Sequence, residues 1–265
     1  MDLLALGIYA LLGVFTGLMA GLLGIGGGLI VVPALAYLYT LQGTVPAEHL
    51  MQVAVGTSLA TILLTSIGSI WTHHKKRAVD WIVVRRLLLG LVIGSVGGSY
   101  LAHYLPSDVL KRLFGTLEIL IALQMAFGRQ PAPHRHLPAL PGMTAAGSGI
   151  GALSSIMGMG GGAISTPFFV WCNMPLRNAI ATSAAIGLPA AIAGSAAYVL
   201  AGWSTQGLPE MSLGYVYLPA WLGIGLMSIL FARVGAHLTH RLPVGVLKKV
   251  FAILLIGLGL KMLLG

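Results

Sequence analysis

Charged residues are scarce in this sequence, and acidic ones are the scarcest. Of 265 residues, 8% are charged and only 6 are Asp or Glu, whereas 57% are hydrophobic. Soluble domains carry about 25% charged residues, so the composition predicts an integral membrane protein whose surroundings are the lipid bilayer. The formal net charge of +9 does not indicate nucleic acid binding, because no polar domain is present to carry a basic face.

The sequence also lacks the residue sets of most enzymes and metal proteins. Cys172 is the single cysteine, which excludes an internal disulfide. The eight histidines do not combine with acids in a metal-ligand spacing, and no Ser/His/Asp set, paired carboxylates or Cys/His cluster occurs. We therefore expect neither an enzyme nor a bound cofactor or metal.

Long apolar segments fill the chain and form two groups of five. The first group is 3–23, 28–41, 50–71, 80–104 and 107–127, and the second is 142–157, 162–172, 178–201, 214–240 and 244–264. A full membrane span needs about 20 residues. The sequence thus predicts an all-α, polytopic helical bundle with a first membrane repeat (1–127), a Pro-rich basic linker (128–141) and a second repeat (142–265).

The two halves match each other at constant spacing within each block. Seven residues of the first segments recur in the second half in the same order: Gly13, Gly17, Gly24, Gly26, Gly27, Gly28 and Pro33 match Gly147, Gly151, Gly158, Gly160, Gly161, Gly162 and Pro167. Thr57-Ser58 matches Thr182-Ser183, and Gly98 to Phe114 matches Gly235 to Phe251. The halves are repeats, with length changes confined to loops.

An odd number of segments in each repeat predicts that the second is inverted relative to the first. Lys and Arg favour the cytoplasmic side, and the link at Lys75-Lys76-Arg77 is basic while its counterpart in 202–210 is not. Alternation from that link places all 15 basic residues inside except Lys111, Arg112 and Lys261. We predict an inner-membrane protein with both termini outside.

The doubled motif Gly-X-Gly-Gly-Gly-X4-Pro interrupts an apolar segment in each half. No strand precedes it and no lysine follows it, so a phosphate-binding loop is not indicated. Backbone without helical partners is tolerated in a membrane only where it is buried in protein or lines a cavity. Matching breaks in two halves indicate a midplane binding site of a transporter, and the alternative is close helix packing through small residues.

Hydroxyl residues accompany both glycine motifs. Free N–H groups at a broken helix end, with serine and threonine hydroxyls, can bind a dehydrated oxyanion. The candidate substrate-binding residues are Gly26, Gly27, Gly28, Thr57, Ser58, Gly160, Gly161, Gly162, Ser165, Thr182 and Ser183. The alternative for each hydroxyl is a bond to backbone within or between helices.

Glu118 is the one acid placed midway along a predicted span. An ionisable group there is expensive and suggests a function, so we consider it a candidate for proton coupling. Its repeat counterpart is Leu255, which leaves open a carboxyl that is simply protonated or paired.

Together with Thr-Ser on the next helix and the stretch Gly202-Trp203 to Val216, the doubled glycine motif resembles the sulfite exporter TauE/SafE (TSUP) family over almost the whole chain. The resemblance implies an inner-membrane permease for small sulfur anions such as sulfite or organosulfonates. The alternatives are an anion channel, a permease for a different small organic anion, or a membrane assembly subunit without transport. The sequence leaves open the anion, the coupling ion, the direction of flux and the choice between monomer and homodimer. It also leaves open whether the first two segments of each half cross the membrane fully or form re-entrant hairpins broken at the glycines.

Overall fold

The computed structural model describes residues 3–23, 27–127, 136–238 and 244–264. These residues form ten α-helices, α1 to α10 in chain order: Leu3–Leu23, Gly28–Gln42, Leu50–Lys75, Trp81–Tyr104, Ser107–Phe127, Leu140–Ile156, Gly162–Trp171, Leu176–Ala201, Leu218–Leu238 and Val244–Leu264. The predicted all-α, polytopic architecture is confirmed. Within these described ranges, five helices, α1, α3, α4, α8 and α9, contain a stretch long and apolar enough to cross a membrane.

The predicted start of the ninth helix is wrong by four residues. The apolar run was expected to become helical at Gly214, but Ser212–Leu213 (β1) and Val216–Tyr217 (β2) pair as a short antiparallel hairpin first. Gly214 has φ 54° at its turn, a conformation that glycine adopts readily. The helix begins at Leu218, directly after the hairpin.

Helices of one half pack mainly on helices of the other half. The most extensive contacts join α4 to α6 and α1 to α9, followed by α5 with α10, α4 with α8 and α3 with α8. Exchanging the two halves converts the α1–α9 contact into the α6–α4 contact and leaves the α5–α10 and α3–α8 pairs unchanged. The residues from both halves thus build one bundle, with α3 and α8 at its centre.

The glycines that precede each motif serve this packing. A Cβ atom on Gly17 of α1 would lie 2.7 Å from the Cα of Ser228 in α9, and one on Gly151 of α6 would lie 2.5 Å from the carbonyl oxygen of Leu91 in α4. Only a residue without a side chain permits such an approach. For these glycines the close-packing explanation therefore holds.

Candidate functional site

The helix break in the second half lies between α6 and α7. Helix α6 ends at Ile156, and Gly158 and Gly161 have φ of 62° and 75° before α7 begins at Gly162. Helix α7 has 10 residues, about 15 Å of length, which is half the thickness of the hydrocarbon core. Helix α7 is therefore too short to cross a membrane alone.

In the first half, α2 begins in the same way as α7 does in the second half. Gly27 has φ 63° and immediately precedes Gly28, the first helical residue, as Gly161 precedes Gly162 in the second half. Side chains are strained at positive φ, which is why glycine occupies both positions. Gly26, a predicted binding residue, lies outside the residues that the structure describes.

The two breaks meet in the interior of the protein. A Cβ atom on Gly28 would collide with the backbone carbonyl of Gly158 and lie 2.8 Å from the Cα of Met159. The hydroxyl of Ser58, on α3, donates a hydrogen bond of 2.7 Å to the same Gly158 carbonyl. The structure thereby brings the start of α2, the Thr-Ser segment of α3 and the second glycine turn together.

Gly160 lies on the other side of this turn, against both central helices. A Cβ atom there would be 3.2 Å from Cγ2 of Ile62 in α3 and 3.7 Å from the Cα of Gly187 in α8. Ile62 and Gly187 occupy equivalent positions of the two repeats. The turn is therefore enclosed between the helices that carry Thr57-Ser58 and Thr182-Ser183.

Hydroxyl groups surround the start of α7. Ser165 donates to the Gly161 carbonyl at 2.9 Å, and Thr166 donates to Ser183 at 3.0 Å. Ser154, on the last turn of α6, places its Oγ 3.0 Å from the position that a Cβ on Gly161 would take. Its side chain is fully buried, and its hydroxyl has no hydrogen-bond partner among the described residues.

Ser154 is not among the binding residues predicted from the sequence, although it precedes the glycine turn by only a few positions. Most serines in membrane helices bond to their own backbone, as Ser165 does. Nothing in the spacing of the sequence separates a serine that is already bonded from one that is not. Only the packing of α6 against α7 shows that this hydroxyl is unpaired.

Backbone donors complete the polar surroundings. The N–H groups of Gly160, Gly161, Gly162 and Ala163 have no acceptor within the described parts of the chain. The first N–H groups of a helix lie at the positive end of its dipole. Together with Ser154, they form a set of donors without acceptors, which is the chemistry that an oxyanion needs.

The two predicted threonines occupy equivalent positions in a reciprocal contact. Thr57 accepts a 3.0 Å hydrogen bond from the N–H of Tyr217, just before α9, and Thr182 accepts one of 3.0 Å from the N–H of Asp80, just before α4. Each threonine therefore caps a helix of the opposite half. Both side chains are fully buried.

Comparison with known proteins decides the family. The profile described as "Sulfite exporter TauE/SafE" matches residues 9–262. The chain belongs to the TauE/SafE family. It is 37% identical over 256 residues to a probable membrane transporter protein of Haemophilus influenzae, covering 96% of both chains, and 29% identical over 264 residues to one of Methanocaldococcus jannaschii, covering 99% of this chain and 97% of the relative. No solved structure matches this chain.

Membership of TauE/SafE makes the protein a multi-pass membrane transporter and confirms the resemblance seen in the sequence. The alternative of an assembly subunit without transport loses its basis, because relatives that align over the full length carry transporter descriptions. Among the described residues, no group of three His, Cys, Asp or Glu is placed to hold a metal ion.

Glu118 of this TauE/SafE protein lies on α5, away from the glycine turns in sequence. Its side chain is fully buried, and neither carboxyl oxygen has a hydrogen-bond partner among the described residues. Its counterpart Leu255 on α10 is also fully buried. An ionised carboxylate without a partner is costly in such surroundings, which keeps Glu118 a candidate for proton coupling.

Proposed function

We propose that this protein is a secondary carrier that exports a small sulfur-containing anion, such as sulfite or an organosulfonate, across the inner membrane. The observation that carries the proposal is the meeting of the two broken helices, where Gly28 touches the carbonyl of Gly158. Broken helices that meet between two repeats are where secondary transporters bind their solutes. The description of the matching family supports a sulfur oxyanion.

The proposed site is built from both halves. Gly27 and Gly28 provide one wall, and the turn from Gly160 to Gly162 provides the donors. Hydroxyls of Ser58, Ser165 and Ser183 surround this region, while Thr57 and Thr182 hold the adjoining helices in place. Because no basic side chain is required, the solute exchanges water for neutral donors and can leave again.

The contacts between the two halves are the basis of the proposed transport cycle. We propose that the halves are inverted repeats with both chain termini outside, and that they rock around the site to open it to each side in turn. The central contacts, α3 with α8 and α5 with α10, join equivalent helices and are suited to such a motion. An inside-negative potential favours efflux of an anion by about 2.3 kcal/mol per charge per 100 mV, so export needs no coupling ion.

Proton coupling through Glu118 is the second form of this proposal. A buried carboxyl without a partner can carry a proton across the membrane interior. If it does so, Glu118→Gln abolishes the dependence of transport on a pH gradient while potential-driven flux remains. A pH dependence that persists in Glu118→Gln removes Glu118 from the mechanism.

Flux measurements on purified protein in proteoliposomes test the proposal. Radiolabelled sulfite is compared with a sulfonate and with a carboxylate of similar size, under membrane potentials of either sign. We expect saturable movement of the sulfur anions that reverses with the potential, and none in protein-free vesicles. Folded protein that moves no sulfur anion would refute the function, while rates far above a carrier cycle with no counter-transport would indicate a channel.

A further inference from the structure

The two glycine turns differ in the side chains around them. In the second half, Ser154, Ser165 and Thr166 surround the start of α7. The equivalent residues around the start of α2 are Ala20, Val31 and Val32. Each hydroxyl of the second turn is thus replaced by an apolar side chain at the first, although the backbone motif is the same.

The contacts at the two turns confirm that these positions correspond. A Cβ on Gly27 would lie 3.7 Å from the Cβ of Ala20, and a Cβ on Gly161 would lie 3.0 Å from the Oγ of Ser154. Val31 and Val32 are buried. The Cβ of Thr16 also lies 3.8 Å from the position that a Cβ on Gly27 would take, but the Thr16 hydroxyl is already hydrogen-bonded to the carbonyl oxygen of Leu12 at 2.8 Å. Among the described residues, only the second turn places an unpaired hydroxyl, that of Ser154, next to its left-handed glycine.

We infer that the oxygens of the transported anion bind at the start of α7, with Ser154 as the side-chain donor, and that the start of α2 forms the apolar wall of the same site. This inference rests on the proposed function. The Ser154 hydroxyl is fully buried without a partner among the described residues, next to backbone N–H groups that also lack acceptors. A buried polar group left unpaired costs stability, and a bound oxyanion removes that cost by accepting from the hydroxyl and the N–H groups together.

A sulfur oxyanion fits this asymmetry. Its oxygens are the acceptors that the α7 turn lacks, while the non-oxygen side of a sulfite, or the carbon chain of a sulfonate, faces the apolar wall at Ala20 and Val32. Ser154 therefore determines affinity for the oxyanion group rather than the rate at which the halves move.

The test compares Ser154→Ala with Ser155→Ala. Ser155 is a matched control because it is the next residue of α6, is equally buried and also lacks a side-chain partner, but its Oγ lies against Gly194 of α8. In proteoliposomes with radiolabelled sulfite, we expect Ser154→Ala to raise KM roughly tenfold or more, the loss expected for one hydrogen bond to a charged group, with maximal rate little changed. Ser155→Ala keeps the wild-type KM.

Thermal stability in detergent separates binding from folding. Without sulfite, Ser154→Ala is expected to be as stable as the wild type or more stable, because an unpaired buried hydroxyl is removed. With sulfite, the wild type and Ser155→Ala gain stability and Ser154→Ala gains little. Wild-type flux with an unchanged KM in Ser154→Ala overturns this inference alone, whereas absence of sulfite flux in the wild type overturns the proposed function and the inference with it.

Discussion

The two glycine turns share a backbone but not a chemical environment. Both place a left-handed glycine, Gly27 or Gly161, directly before a helix with a proline at its sixth position. Around Gly161 there are hydroxyls, one of them unpaired, whereas around Gly27 there are alanine and valine side chains and Thr16, whose hydroxyl is hydrogen-bonded to backbone. The repeated motif thus preserves the backbone shape that breaks a helix, while the neighbouring side chains differ. In the proposed site, these side chains divide the binding of one solute between a polar and an apolar side.

The largest effect is expected when a methyl group is introduced where the two glycine turns touch. Gly28→Ala places a methyl group against the backbone of Gly158 and Met159, which cannot move aside as a flexible side chain would. We expect a loss of about 3 kcal/mol in stability, the upper range for an overpacked core, and loss of transport. The loss of stability is measured by heating the purified variant and following its unfolding by size-exclusion chromatography.

Gly7→Ala provides the control for Gly28→Ala. Gly7 lies in α1 with nothing within 4 Å of a Cβ, so alanine there is expected to stabilise the helix by about 0.5–1 kcal/mol. Equal stability of the two variants would contradict the contact between the turns.

A second comparison separates backbone strain from binding. Gly27→Ala and Gly161→Ala both force a side chain into positive φ, at a cost of about 1–2 kcal/mol each. Only Gly161→Ala also presses on the Ser154 hydroxyl; at Gly27 the nearest atom is 3.6 Å away. We expect the two variants to lose similar amounts of thermal stability, and only Gly161→Ala to show a raised KM for sulfite. An equal rise of KM in both variants would show that the two turns bind the solute alike.

The reciprocal threonine caps predict a symmetric and smaller effect. Thr57→Val and Thr182→Val each remove the acceptor of one backbone N–H, from Tyr217 and Asp80 respectively. We expect each to lower the free energy of unfolding by about 1 kcal/mol, with Thr→Ser at the same position retaining it. A KM that rises in a valine variant but not in its serine variant would instead assign that hydroxyl to the solute.

The smallest effect is expected when polarity is added to the first turn. Ala20→Ser introduces a hydroxyl next to Gly27, while Val31 and Val32 remain apolar. Stability should change by less than about 0.5 kcal/mol, and Ala20→Ser should not restore the wild-type KM for sulfite to Ser154→Ala. Restoration in the double variant would show that the two turns are interchangeable.

Much of the fold was predictable because membrane helices require long apolar runs, which can be recognised directly in the sequence. The predicted boundaries of α1, α5 and α10 agree with the structure, and the breaks at Gly28 and Gly162 fall where the motif placed them. The short hairpin before α9 was missed, since its residues are as apolar as the helix that follows. Its role in bringing the Tyr217 N–H to Thr57 depends on packing across the halves.

The candidate site was predictable only in part. The glycine motif and the Thr-Ser pairs identified the region, because the chemistry of broken helices requires free backbone and hydroxyls. The sequence did not distinguish Thr57, whose hydroxyl accepts from backbone, from Ser154, whose hydroxyl has no partner among the described residues. That distinction depends on how the helices pack against one another, which decides whether a partner lies within hydrogen-bond distance of each hydroxyl.

The most direct test of the account is to locate the bound anion. Selenite has the shape and charge of sulfite, and its selenium gives an anomalous signal in a crystal of the purified protein. We predict a single strong peak within hydrogen-bond distance of the Ser154 hydroxyl and the N–H groups at the start of α7. A peak at the start of α2 away from Ser154, or one outside the region where the glycine turns meet, would contradict the account.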